Sequence, residues 1–401
     1  MEKTNKIFEN GSVWFKSDFH LHTKADKEFK YSGDENEFVT SYIDKLKKEN
    51  INIGVITNHN KFDIDEFKAL KKKAKKENIG LFSGVELSVN DGANGIHCLI
   101  VFDYTWYSSG ENYINQFLTS AFEGIANREN ENTRCNYNLI QLLKKLDEHS
   151  NQGRDSFIIL AHVEQRSGFF NELDGGRIQQ FSNDELFKKY VLGFQKVRTR
   201  DEVSKWKVWL GDRLPAFVEG SDCKNINEVG VSRTQNGENK LTYIKVGELS
   251  FEALKYALMD WENRVSNDIK PRIKNAYIKS ISFEGGLLDN NQINFSPELN
   301  TLIGIRGSGK SSILEILRYS LGITLSSITM DSKYKDGLIE NVLKSGGKVT
   351  IEIVDRHNEE YRIEKIYGQR EDIYKDGFTT NHFHRCNNGL SSIFWAKRFI
   401  Q

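Results

Sequence analysis

Asp18, His20, His22, His59, Glu86, His97, His162 and Asp222 each fall at or just beyond a short apolar run that reads as a strand. Metal donors so far apart in sequence, yet so regularly placed, constrain the fold. The strands must lie side by side, with the loops at one end converging on a cluster of divalent ions. In an extended strand, side chains two apart share a face, so Asp18, His20 and His22 are expected to point the same way. A lone histidine after a strand is ordinarily structural. Several in register on successive units are hard to attribute to chance.

The pattern between these donors alternates β-type and helical runs. It predicts strands at Val13–Phe15, Ile53–Thr57, Gly80–Val85, Ile96–Phe102, Phe157–Ala161 and Ala216–Glu219, and helices at Glu37–Glu49, Ile64–Lys76, Tyr113–Ala126, Tyr137–His149 and Glu202–Leu210. Such alternation implies an α/β domain with a parallel sheet, open or closed. The segment 251–259 reads as a closing helix, and Asn267-Asp-Ile-Lys-Pro271 as a linker. At 401 residues, 38% apolar and 11% aromatic, the chain can bury two cores, expected over 1–265 and 272–401. No apolar stretch is long enough to cross a bilayer and no signal peptide opens the chain, so a cytoplasmic protein without a membrane partner is expected. Four cysteines without paired spacing suit a reducing compartment. Acidic and basic residues balance at 56 each, so bulk charge gives no support for nucleic-acid binding.

A second signal lies downstream. Gly304-Ile-Arg-Gly-Ser-Gly-Lys-Ser311 fits the Walker A pattern, with an apolar run at Leu299–Ile303 predicted as the strand before it and Ser311–Leu321 as the helix after it. Backbone N–H groups of Gly304, Gly307, Ser308 and Gly309 would surround phosphate, Lys310 would reach the β/γ oxygens, and Ser311, followed by Ser312, would ligate Mg²⁺ with ATP. Arg306 lies inside the loop and is a further candidate phosphate contact. Val349–Val354 and Tyr361–Tyr367 flank His357-Asn-Glu-Glu as an antiparallel hairpin. No Asp-Glu strand for Walker B follows, and Leu343-Lys-Ser-Gly-Gly-Lys348 reads as a turn. Alone, the chain is expected to bind nucleotide weakly and hydrolyse it poorly; either it is truncated, or a homodimer mate or partner chain supplies the missing half.

Phe19-His-Leu-His-Thr23, Thr57-Asn-His59, Gly84-Val-Glu86, Ala161-His162 and Gly220-Ser-Asp222, in this order, resemble the PHP (polymerase and histidinol phosphatase) superfamily over about residues 13–260. That resemblance implies a distorted (β/α)7 barrel, two or three divalent ions (zinc, manganese or iron) and phosphoester hydrolysis. By motif, His20 and His22 would bind one ion with Glu86 bridging and Asp222 completing the shell. His59, His97 and His162 would hold the neighbouring ion or ions, and Asp26 stands near where the first motif carries another ligand. The chain departs from the motif at Asn58, where Asp is usual, at Val163, where Pro is usual, and at Lys224, where the family ends in His. A protonated lysine offers no lone pair. Either the site holds one ion fewer, or Lys224 turns outward, or it clamps the substrate phosphate. Downstream, Ile278-Lys-Ser-Ile-Ser-Phe283 and Asn300-Thr-Leu-Ile-Gly304 resemble the amino-terminal lobe of ABC/SMC-type ATPase heads. The fusion resembles the TrlF-like PHP–ATPase proteins of bacteria, which implies ATP-gated phosphoesterase or nuclease action in antiphage or mobile-element defence.

Three weaker features complete the expectations. Six lysines within Lys68–Lys76 read as a solvated helix face. The basic and aromatic stretch from Lys188 to Arg213, including Lys196, suits either amphipathic packing or a single-stranded nucleic-acid groove. Ser167-Gly-Phe-Phe and Asp174-Gly-Gly-Arg177 are candidates for a mobile lip over the metals. The leading expectation is a metal-dependent phosphoesterase, a nuclease, coupled to ATP binding. The alternatives are a small-molecule phosphomonoesterase of the histidinol-phosphate type and a non-catalytic ATP-dependent assembly subunit.

Overall fold

The computed structural model describes residues 7–108, 110–196, 207–211, 214–232, 239–267, 271, 275–323 and 332–379. The Glu202–Leu210 helix, the linker and much of the basic stretch, including Arg198, Arg200 and Arg213, lie partly or wholly outside these residues. The chain divides into two compact units, one spanning Ser12–Pro271 and the other Arg272 onward together with the residues before Ser12. No helix among the described residues is long and apolar enough to cross a membrane.

The first unit is built on β1 (Val13–Leu21), α1 (Phe38–Lys48), β2 (Ile53–Ile56), α2 (Ile64–Lys76), β3 (Gly80–Val89), β4 (Ile96–Phe102), α3 (Tyr113–Ala121), α4 (Leu139–Ser150), β5 (Ser156–Leu160), α5 (Gly175–Ser182), α6 (Glu185–Tyr190), β6 (Val191–Gln195), β7 (Ala216–Val218), β8 (Thr242–Val246), α7 (Phe251–Met259) and β9 (Val265–Ser266). Nine strands form one sheet in the order β7-β6-β5-β4-β3-β2-β1-β8-β9. Its two edges come together: Phe19 N–H donates to Glu219 O at 3.4 Å, Glu219 N–H to Thr242 Oγ1 at 2.7 Å, and the Asn267 amide to Phe217 O. The result is a nearly closed, barrel-like sheet, which meets the α/β barrel expectation.

The parallel-sheet expectation needs correction. β4 runs antiparallel to both β3 and β5, and β8 runs antiparallel to β1. Simple alternation suggested parallel strands, but β3 and β4 are joined by the short turn after Val89, which suits a hairpin. The reversal brings the start of β4 to the same end as the carboxyl ends of β1, β2, β3, β5, β6 and β7.

The helices follow their apolar spacing. In α2, Asp63 caps the first turn by accepting from Glu66 N–H, and Phe67, Leu70 and Ala74 are buried. Its lysines occupy the other positions, as the solvated-face expectation required. Burying a Leu or Phe side chain there contributes about 2 kcal/mol. In α4, an Asn138–Gln141 capping box starts the helix, and Leu139, Leu142, Leu143 and Leu146 are buried.

His149, in the last turn of α4, packs on Trp106 with ring centroids 4.4 Å apart and accepts from Arg154 Nε. Burial, and then the Arg154 charge, lower its pKa from the ordinary 6.5 to about 4. The unfolded chain therefore binds a proton that the folded chain refuses. The stability this contributes is full above about pH 6.5 and is lost as pH falls toward 4. Allowing for partial exposure, the expected loss is about 1 kcal/mol. His149→Gln should flatten that part of the acid slope when melting temperatures at pH 7.5 and 5 are compared with wild type.

The second unit carries β10 (Tyr277–Glu284), β11 (Gln292–Asn294), α8 (Lys310–Ser320), α9 (Ser332–Leu343), β12 (Lys348–Val354), β13 (Glu360–Ile366), β14 (Glu371–Lys375) and β15 (Phe378–Thr379). The strands form an antiparallel sheet in the order β11-β10-β12-β13-β14-β15, so the expected hairpin is present as β12–β13. Ile281, Phe283, Val349, Ile351, Ile353 and Ile363 pack with Ile316 and Leu317 of α8 and with Ile339 and Leu343 of α9. The strand expected at Leu299–Ile303 is not formed: Leu299, Ile303 and Ile305 are 89%, 92% and 83% exposed. Apolar residues make a strand only where a neighbour pairs with them, and no strand of this sheet does so.

Candidate metal centre

The barrel end where the strand termini converge holds every metal donor expected from sequence. Glu86, buried on β3, is the hub. Its Oε2 lies 2.7 Å from His20 Nε2, 3.5 Å from His22 Nε2 and 3.1 Å from His59 Nε2. Its Oε1 lies 2.8 Å from His97 Nδ1 and 3.5 Å from His162 Nε2. Asp222 Oδ1 stands 3.3 Å from His22 Nε2 and 3.8 Å from His20 Nε2. Among the described residues, three trios have donor atoms close enough to share an ion: His20–His22–Asp222, His22–His59–Glu86 and Glu86–His97–His162.

Local structure sets each position. His20 is on β1 and His22 just beyond it. An isolated parallel bridge, His59↔Glu86, carries the β2–β3 pairing past the strand end. His97 is the second residue of the reversed β4. His162 and Asp222 have φ values of +26° and +54°, a left-handed backbone that non-glycine residues tolerate only where the surroundings impose it. Asp222 N–H donates to His20 O at 2.8 Å, tying the loop after β7 to β1. At Gly220, a Cβ would sit 2.5 Å from His20 Cβ and 2.8 Å from Gln195 Nε2. Only glycine lets that loop approach so closely.

Asp26 and Asp18 behave differently from the rest. Asp26 belongs to none of the three trios. Its Oδ2 contacts His22 Nδ1 at 3.0 Å and His59 Nδ1 at 2.9 Å, and also accepts from His59 N–H. One carboxylate thereby orients two imidazoles with their Nε2 atoms inward, a supporting role beside the ligands. Asp18 also stands outside the trios. A register shift between Asp18 and Leu21 interrupts the strand alternation. Its Oδ1 instead accepts from His20 N–H at 3.0 Å and Ser221 N–H at 2.9 Å, and burial pushes its carboxyl up to about 6.

The departures from the motif have local explanations. Asn58 Oδ1 accepts from Thr23 N–H while its Nδ2 donates to Thr23 Oγ1, a two-way clip that an ionised Asp could not make. Val163 N–H donates to Gln195 O, a bond proline lacks. Lys224 turns toward the site: its Nζ is 3.3 Å from Asp222 Oδ1. Burial opposes its charge, but Asp222, Glu86 and Asp26 outweigh burial and raise its pKa. The lip expectation is overturned. Phe169 is fully buried against Phe181, Phe187 and Phe194, Asp174 caps α5, and Ser167 O accepts from His97 N–H. The Phe169 side of the segment is built into the aromatic core and tied to the start of β4.

Sequence reasoning missed Gln195, at the end of β6, and grouped Lys196 with the basic stretch. Gln195 Oε1 lies 2.9 Å from His20 Nδ1 and accepts from His162 N–H at 3.2 Å. Accepting from Nδ1–H fixes the His20 tautomer and leaves its Nε2 lone pair facing inward. Lys196 Nζ is 3.2 Å from Asp222 Oδ2. No motif marks either residue; both sit at a strand end that weak periodicity concealed.

The electrostatics fit divalent cations. Burial opposes the charge on Glu86, yet His20, His59 and His97 hold its carboxyl well below the usual range. Burial, outweighing Glu86, lowers the pKa of His20. His22 is raised to about 9, burial being overcome by Asp222, Asp26 and Glu86, and His97 is raised by Glu86 against burial. Ring centroids of His22 and His59 are 4.6 Å apart, and those of His97 and His162 5.1 Å. His162 Nδ1 is buried without a hydrogen-bond partner. The remaining lone pairs converge on carboxylates, a donor set that suits cations and is costly without them.

In the second unit, the Gly304–Gly309 loop leads into α8. Gly307 and Gly309 have φ of +85° and +86°, positions that favour glycine. Lys310 Nζ folds back on its own loop, donating to Gly304 O at 2.7 Å, Ile305 O at 2.8 Å and Ser308 Oγ at 3.3 Å. Arg306 and Ser311 are exposed, whereas Ser312 is buried against the unit.

Residues 272–388 match the model of the AAA domain family. No curated protein matches the chain. Among solved structures, it is similar to a two-domain protein from Bacteroides vulgatus containing a predicted PHP-like metal-dependent phosphoesterase, at 14% identity, 74% of this chain, 88% of that one and a TM-score of 0.42. It is similar to an amidohydrolase from Chromobacterium violaceum with bound sulfate and no metal, at 14% identity, 54% of this chain, 90% of that one and a TM-score of 0.39. It is also similar to the recombination mediator RecF with ATP, at 20% identity, 27% of this chain, 28% of that one and a TM-score of 0.21. A donor-lined barrel is thus followed by a segment that matches the AAA domain model, in the order read from the sequence for a metal-binding unit and an ATPase-like one.

Proposed function

We propose that the barrel is a metal-dependent phosphoesterase that cleaves phosphodiesters of nucleic acid, and that the Gly304–Ser311 loop binds ATP with Mg²⁺ and gates it. One observation carries this: the Glu86 carboxylate lies within 3.5 Å of five imidazoles from four different segments. His22, His59 and Glu86 would hold one zinc, manganese or iron ion; Glu86, His97 and His162 would hold another, and His20, His22 and Asp222 face a third place. Ions there would supply a water acidified toward neutrality and charge neutralisation on phosphoryl oxygens. Asp26 and Gln195 keep the imidazoles aimed, and Lys224 meets the substrate's negative charge at the exposed side of Asp222. Action on foreign nucleic acid is the role this pairing of units serves.

The test is cleavage of labelled single-stranded DNA, RNA and p-nitrophenyl phosphate by the full chain, with and without divalent ions. His22→Ala, which removes a donor shared by two trios, should lower cleavage at least about a hundredfold. Turnover of the monoester alone would sink the nuclease reading, and turnover indifferent to chelators would sink the phosphoesterase reading.

A further inference from the structure

Asp222 is unlike the other carboxylates of the centre. Among the described residues, the ion pairs of Glu86 and Asp26 are all with histidines. Asp222 instead has an ammonium on each oxygen: Lys196 Nζ 3.2 Å from Oδ2 and Lys224 Nζ 3.3 Å from Oδ1. Oδ1 is also the atom that faces His20 and His22. The Lys224 ammonium therefore contacts the very carboxylate atom the His20–His22–Asp222 trio would offer to an ion.

Both lysines are anchored by their backbone, although the Lys224 side chain is 37% exposed. The Lys224 backbone is pinned on both sides: its carbonyl accepts from Lys30 N–H at 2.8 Å and its N–H donates to Glu228 Oε2 at 2.7 Å. Lys196 follows Gln195 directly, takes a φ of +56°, and its side chain is only 14% exposed. A divalent ion in that trio would bind a carboxylate already neutralised by two positive charges, and would be repelled by both. The other two trios carry no such obstacle.

Resting on the metal-dependent reading above, we infer that Lys196 and Lys224 stand in for an ion at this corner. The barrel binds two divalent ions, on His22–His59–Glu86 and on Glu86–His97–His162, and the paired ammonium groups supply the remaining positive charge. The chemistry then divides. An ammonium attracts a phosphoryl oxygen and donates hydrogen bonds to it, but has no coordinated water to acidify. The Asp222 corner is a seat for the substrate's phosphate, and water activation belongs to the other side of Glu86.

Metal content per chain decides this. Full-length wild type, Lys224→His, Lys224→Arg and a Lys196→Met/Lys224→Met double variant are saturated with Mn²⁺ or Zn²⁺, desalted and analysed by mass spectrometry, with melting curves confirming that each is folded. Wild type and Lys224→Arg should carry two ions; Lys224→His and the double variant should carry three. Three ions in wild type, or two in every folded variant, would overturn the inference and leave the phosphoesterase reading standing. Wild type that retains no metal would overturn both. Should the double variant not fold, the wild-type count and Lys224→His still decide.

Discussion

Glu86→Gln is expected to lower divalent-dependent diester cleavage by at least about a thousandfold, equivalent to about 4 kcal/mol of transition-state stabilisation. Glutamine preserves the shape of the side chain but replaces one carboxylate oxygen with an N–H₂ group. Glu86 presents Oε2 to His20, His22 and His59 and Oε1 to His97 and His162. An amide donor in either place occupies an imidazole lone pair that should face a cation, and the charge bridging two trios is gone. The same substitution removes a buried charge, so the fold should survive it. Metal analysis beside steady-state turnover checks the result; a variant within tenfold of wild type would take Glu86 out of the centre.

Lys310→Ala should weaken ATP binding by about a hundredfold, near 3 kcal/mol, and abolish any response of cleavage to added ATP. The Lys310 ammonium is held by two loop carbonyls and the Ser308 hydroxyl, where the β- and γ-phosphates would compete for it. Alanine leaves those carbonyls facing the nucleotide with no cation between. Fluorescent-nucleotide titration measures the affinity, and unchanged binding would exclude this loop as the phosphate site.

Much of the cluster was legible in the sequence because histidines and carboxylates at or near strand ends are conspicuous residue types in rigid places. His20, His22, His59, Glu86, His97, His162 and Asp222 converge as the motif order required. What stayed hidden depends on pairing across the chain. The direction of β4 is set by its neighbours, and only that direction explains why His97 starts a strand while His20 and His162 sit at or just past the carboxyl ends of theirs. Gln195 and Lys196 carry no motif and gain meaning only when β6 is laid beside β5 and β7. Leu299–Ile303 shows the opposite failure: strand-like composition without a strand beside it. Phe169 and Phe170, taken for a lip, belong to the aromatic core because Gly168 brings the chain within 2.4 Å of His162 O, measured from where its Cβ would be.

The reversed β4 also sets the order in which the centre can be put together. Glu86 and His97 are 11 residues apart across one hairpin, whereas His22 and Asp222 are 200 apart. Chain-closure entropy makes the second meeting about 2.5 kcal/mol dearer than the first. The hairpin half of the centre is thus nearly a local structure, and the Asp222 arm arrives last, at the seam where the sheet meets itself. Breathing of that seam would unclasp Asp222 and its two lysines while Glu86 and His97 keep their grip.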